Sequence, residues 1–331
     1  IDRVTELFKA WAIASPGFHM RNFFGGVFNN ALASVEISSY SRFHSLYNPK
    51  TGKGSLTPNG ERLTVAEGIS RGFGVEDQVK LMRSTKTAQQ LIESGQTNVV
   101  DGMEQLIRAG MLTGGQTTEL ARYSRLGNVR TARGRYNPFN PNNVITTAAR
   151  SPATGVENYL RGSLALDRLI KGQSVDLALT DVYKYHFDYD DLSAFERGVL
   201  RRAIPFYTWT RKNFPLQLEM MVTNPKVYNR VYSLKREIER ETEKEELLPS
   251  WIAERFHIQM PFSFGGDPLY LVPDLPFTEM DRATNVRLIL ASTSPLIKIP
   301  LEQVTGKNFF FDSDFRDDYK PLPSAWTATM A

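Results

Sequence analysis

Apolar residues recur at helical spacing along most of this chain, and strand-like patterning is confined to one stretch near the C-terminal end. Val4, Leu7, Phe8 and Trp11 fall on one side of an amphipathic helix predicted over 2–13. Ser15-Pro16 predicts the start of a second helix, because serine caps a helix and proline suits its first position. Its broad apolar surface carries Phe18, Phe23, Phe24, Val27, Phe28 and Leu32, and Gly25-Gly26 permits close helix contact or a bend. A loop rich in turn formers follows at 47–60. Short helices are then predicted over 64–71, 75–84, 85–93 and 99–112, and two more over 156–171, ended by Gly172, and 175–185.

The richest stretch is FERGVLRRAIPFYTWTRKNFPLQLEMM, 195–221. Ser193 and Glu196 form an S-x-x-E capping box, which predicts a helix start. Phe195, Val199, Leu200 and Ile204 recur at helical spacing until Pro205 removes a backbone donor and forces a kink or break. Phe206, Tyr207 and Trp209 follow within one helical turn, so they cannot all face one narrow core. At least one is expected to meet a second element, the 156–171 helix or another subunit. Arg201, Arg202, Arg211 and Lys212 would rim that contact, paired with the acidic 188–191 stretch or with phosphate. With Pro215 close behind, the stretch reads as a bent helical element that packs on partners. The alternative is an ordinary core at a kinked junction.

Beyond Asn224-Pro225 a long, charge-laced helix is predicted over 227–247, with a thin apolar seam through Val231, Leu234 and Ile238. Two short apolar runs flanking Gly-Gly-Asp predict a β-hairpin over 258–272, held to an edge by Pro261 and Pro268. Helices return at 278–291 and 295–305, the latter closed by Gly306. The predicted fold is mainly α: an elongated multi-helix assembly with a kinked central helix and one small β-hairpin near 258–272. Its expected parts are an N-terminal amphipathic helical arm (1–46), a small helical region (61–124), a basic flexible linker (125–150), a central helical region (151–256), and the hairpin with C-terminal helices and an arm (257–331).

Composition narrows the function more than the fold. The 331 residues carry 40 Lys+Arg against 36 Asp+Glu, a net charge of +4, so a pI near 9.1 argues only weakly for nucleic acid. Any nucleic-acid contact would rest on Arg125, Arg130, Arg133 and Arg135, whose alternative reading is a solvated loop. The absence of cysteine excludes disulfides and cysteine-based zinc sites. The longest uncharged apolar-rich run, 22–35, is shorter than the roughly 20 residues a membrane span needs. Because residue 1 is Ile within a helical pattern, the chain reads as a processed product or a piece of something longer.

Catalytic signatures are missing. Gly52-Lys53-Gly54-Ser55 lacks phosphate-loop spacing, and there is no H-E-x-x-H or G-x-S-x-G. Asp188, Asp190 and Asp191 lack the glycine and terminal glutamate of a calcium loop, and serve capping and dipole roles instead. His186 has no companion at metal-ligand spacing and reads as a structural hydrogen-bonder. No catalytic, metal-binding or cofactor-binding residue is assigned, and the chain reads as non-enzymatic.

Four blocks in order carry a resemblance: SPGFHMRNFFGGVFNN (15–30), VENYLRGSLALDRL (156–169), YHFDYDDLSAFERGVLRRAIPFYTWTRKNFPLQLE (185–219) and SPLIKIPLEQVTGKNFF (294–310). Together they bracket most of the chain, and it resembles a segment of the very long structural proteins of tailed bacteriophages, of the large polyvalent or internal virion type. The resemblance implies a virion component made in the host cytoplasm, internal and ejected or bound near the portal and tail. A tape-measure or tail-tip component is the alternative within that class, and a DNA-binding module the alternative outside it. Implied partners are portal, tail or internal virion proteins and other copies of the chain, with genomic DNA contact possible and membrane contact only during ejection. The partner-facing residues expected are Phe206, Tyr207, Trp209, Arg201, Arg202, Arg211, Lys212, Phe23, Phe24 and Phe28.

Overall fold

The structure is a computed structural model that describes residues 2–48, 54–55, 62–112, 136–140, 143–189, 191–241, 252, 255–264, 267–280, 285–309 and 313–314. It is mainly helical, with small antiparallel strand pairs. In chain order the elements are α1 (Asp2–Ala14), α2 (Pro16–Leu32), α3 (Ile37–Tyr47), β1 (Gly54–Ser55), β2 (Arg62–Leu63), α4 (Val65–Ser70), α5 (Val75–Arg83), α6 (Lys86–Glu93) and α7 (Thr97–Arg108). Then come α8 (Val144–Ile170), α9 (Val175–His186), a π-turn (Glu196–Leu200), α10 (Arg201–Ala203), α11 (Tyr207–Thr223) and α12 (Pro225–Ile238). The hairpin β3 (Ile258–Phe264) with β4 (Asp267–Leu271), α13 (Val286–Ala291), α14 (Pro295–Thr305) and the strand pair β5 (Lys307–Asn308) and β6 (Ser313–Asp314) complete the described chain.

Most helix ends follow local chemistry. The Ser15 hydroxyl accepts from Phe18 N, and Thr64 and Glu67 satisfy each other's backbone in a reciprocal capping box. Gly172 and Gly306 take left-handed φ values of 81° and 68° just beyond α8 and α14, where a side chain would be strained. The hairpin stands where its sequence predicts it, with a register shift between Gln259 and Ser263.

The organising element is α8 and not the proline-rich box. It packs against α1, α2, α3, α7 and α9. Residues 161–169 are all buried, which makes this part of α8 a helix surrounded on every side. Two glycines let its neighbours approach. A Cβ on Gly162 would fall 1.9 Å from the Phe43 ring of α3, and one on Gly26 of α2 would fall 2.3 Å from Leu160. The helix also begins earlier than predicted: Asn143 accepts from Ile145 N and Thr146 N, and Pro152 is carried inside it. Residues 144–150 therefore belong to this helix and not to a basic linker, while Arg125, Arg130, Arg133 and Arg135 lie outside the described residues. One contiguous apolar cluster runs from Phe28 through α3 to α9 and on to Phe277, so α2 shares the core.

Charged side chains along α8 hold the ends of other helices. Arg161, with no exposed surface, donates through Nη2 to the carbonyl oxygens of His186 and Phe187, both at 2.8 Å. Those carbonyls close α9, where a cation suits the helix C-terminus. Glu157, one turn earlier, holds a carboxylate oxygen 3.8 Å from the guanidinium. Six residues beyond Arg161, Asp167 accepts from Glu36 N (3.0 Å) and Ser39 Oγ (2.9 Å) at the start of α3. Arg168 donates to Ala33 O at 2.7 Å and Lys171 to Ser34 O at 3.2 Å, just beyond α2.

A polar layer joins α2 to the same place. Asn29 donates to Tyr185 O (2.8 Å) and Asn30 to Leu160 O (3.1 Å). The Asn30 oxygen is thereby left to accept from His186 Nε2–H at 2.7 Å, which fixes the neutral imidazole tautomer. Burial, with the Arg161 charge adding to it, holds the His186 pKa down at about 3.

Two outcomes follow. Replacing Arg161 with Met strands the two carbonyls and removes the cation beside the buried Glu157, and should lower folding stability by about 3–5 kcal/mol in urea titrations. His186 stays neutral in the folded chain while the unfolded chain takes up a proton below about pH 6.5. Its contribution is complete above that pH and is lost as pH falls toward 3, by at most about 1.4 kcal/mol per unit. Stability measured against pH should lose this slope in His186→Gln.

Candidate functional site

The break at Pro205 borders a cleft. Ser193 and Glu196 form the predicted capping box, with Ser193 N donating to Glu196 Oε2 at 2.8 Å and Glu196 N to Ser193 Oγ at 3.2 Å. The turn that follows is a wide π-turn and not the regular helix its apolar spacing predicts. Phe195, just before this turn, and Val199, within it, lie in solvent at 62% and 50% exposed. Ile204 is extended, and α11 starts directly after Phe206. Pro215, expected to add a second bend, lies inside α11 without ending it.

A cleft of about 400 Å³ opens between this junction, α2 and α13, with Phe18, Phe206, Phe214 and Ile289 among its apolar walls. The three junction aromatics point to different places, as their spacing requires. Trp209 packs edge-on against Phe187 at 5.1 Å, and its indole N–H donates to Glu279. Tyr207 donates to Glu196 at 2.9 Å, and Phe206 faces the cleft half-buried. Trp209 thus meets α9's end and the 276–279 turn.

The site's charges are largely engaged with one another. Arg21 reaches Asp274 at 3.0 Å and Glu279 at 3.6 Å. Arg211 pairs with Glu196, whose carboxyl is held down at about 2 by the hydrogen bonds from Ser193, then by Tyr207 and Arg211. Lys212 pairs with Asp191, which lies below the usual carboxylate range because of that contact. Arg201 and Arg202 stand on α10, away from the cleft lining.

Of the phenylalanines expected to face partners, Phe28 is corrected. It is 4% exposed and packs edge-on against Tyr228 and tilted against Phe277, both at 5.4 Å, because its position on α2 faces the core. Phe24 is partly buried against that core, and Phe23 is exposed on the outer face. Sequence reasoning passed over Arg21 and Glu279, and also Arg161, Asp167 and Arg168. For the last three a signal existed: charges inside a helix apolar on every side must find buried partners.

No protein-family model matches the chain, and neither a curated protein nor a solved structure does. Among the described residues no cluster of His, Asp or Glu is placed to hold a metal, and no helix is long and apolar enough to cross a membrane.

Phe206 and Trp209 both line the cleft, but Trp209 also packs on Phe187 and donates to Glu279, so truncating them should differ. Trp209→Ala should cost about 3 kcal/mol and Phe206→Ala about 1 kcal/mol, read from thermal and urea unfolding.

Proposed function

We propose that this chain is a non-enzymatic structural component of a tailed-phage particle, which packs through apolar helix faces on copies of itself or on other particle proteins. The observation that carries this reading is a set of three outward apolar stripes. Val4, Phe8 and Trp11 on α1, Met20, Phe23 and Val27 on α2, and Ile297, Leu301 and Val304 on α14 are all exposed. Each trio recurs at i, i+3 or i+4, and i+7, the spacing of a single helix face. The three helices are neighbours, since α1 contacts both α2 and α14 and Thr5 Oγ1 lies 3.2 Å from Ser294 Oγ. Apolar stripes at this spacing normally face a core, and an exposed set marks a protein-binding surface. The four sequence blocks supply the particle context, and a place near the portal and tail or among ejected proteins comes from that resemblance alone. Contact with genomic DNA, on this reading, would fall to Arg125, Arg130, Arg133 and Arg135.

Native mass spectrometry across a range of concentrations tests the surface. Wild-type chain should form higher species, and a Phe8→Ser, Trp11→Ser, Phe23→Ser triple variant should stay monomeric with an unchanged helical circular dichroism spectrum. A wild-type chain that remains monomeric, alone and with the other proteins of its particle, contradicts the assembly reading. Peptides of this chain should also be present in protease-washed particles, and their absence contradicts the virion assignment.

A further inference from the structure

The cleft at the Pro205 junction holds two polar groups that its own walls leave unmet. Arg21 engages Asp274 and Glu279 through its terminal nitrogens, but its Nε–H is buried with no acceptor among the described residues. The amide nitrogen of Asn22, the next residue on α2, is buried and unmet in the same way. Both residues line the cleft. Buried donors are nearly always satisfied in folded proteins, so an adjacent pair without acceptors beside an aromatic-walled cleft points to a ligand that brings oxygen.

The surrounding charge decides which oxygen. Three guanidinium groups, Arg21, Arg211 and Arg255, face three carboxylates, Asp274, Glu279 and Glu196, so the surrounding charges are already balanced. A carboxylate or phosphate would bring a charge with no counter-charge left to pair it, and a cation would in addition meet the unmet N–H groups. A neutral carbonyl flanked by apolar surface meets neither penalty. We propose that the cleft binds an apolar segment of a partner protein, one aromatic or aliphatic side chain filling the space beside Phe206 and Phe214, with neutral backbone carbonyls accepting from Arg21 Nε–H and Asn22 Nδ2–H. This deepens the assembly reading and rests on it for the partner's identity.

The test uses the full chain and small probes. N-acetyl-phenylalanine amide carries the ring and neutral carbonyls, N-acetyl-phenylalanine the same ring with a carboxylate, and toluene the ring alone. The Trp209 indole N–H, at the cleft, reports binding in proton–nitrogen correlation spectra. The amide should shift it saturably and bind about fivefold more tightly than the acid. Asn22→Leu should weaken the amide by a similar factor and leave toluene unchanged. Asn22→Asp, which keeps the volume and removes the donors, should weaken the amide too if the leucine variant disturbs the helix. No saturable shift with the amide, tighter binding of the acid, or equal loss of amide and toluene in both variants would overturn the proposal. A chain that still assembles through its outer stripes but ignores the amide loses this proposal and keeps the assembly reading, and loss of assembly with amide binding intact does the reverse.

Discussion

A buried arginine that ends a neighbouring helix is the constraint on which most of this molecule depends. Arg161 lies inside a helix with no exposed surface, and its charge is balanced by Glu157 and by the two carbonyls that close α9. A charge so placed favours one arrangement of its neighbours, because any slip of α9 along α8 takes away the two carbonyls that accept from its Nη2. Asp167 and Arg168 apply the same logic one face away, holding the start of α3 and the end of α2. Apolar packing alone would permit several registers among these helices. The charged groups select one.

From that hub, position passes outward to the cleft. The Phe187 carbonyl is held by Arg161, and Phe187 itself sits at φ 58°, a conformation bulky residues rarely adopt. So held, its ring meets Trp209, the Trp209 indole meets Glu279, and Glu279 meets Arg21. The aromatic junction at Pro205 is therefore a dependent of α8. Its strain is local to Phe187, where surrounding contacts over-determine a costly backbone.

Helix ends and element types were legible in the sequence wherever the decisive chemistry was local. Ser15, Thr64, Ser193, Gly172 and Gly306 act within a few residues of themselves, and α14 and the hairpin stand where their residues place them. What escaped was set by distant partners or by a local exception. Asn30 meets His186 across 156 residues, and neither helix's periodicity states that pairing. The regular spacing of Phe195, Val199 and Ile204 predicted a helix face that the π-turn then removed. The helix predicted over 156–171 begins more than three turns earlier, where Asn143 caps α8. The aromatic box drew attention because it is dense in large side chains, while the hub announces itself only by charges among leucines.

Native-state hydrogen exchange tests most directly whether α8 organises the fold. If it does, the slowest-exchanging amides lie in α8 across 160–170 and open only with global unfolding, together with the parts of α2 and α9 that abut them. Slowest exchange centred on α11, with α8 opening by local fluctuation, would contradict the account.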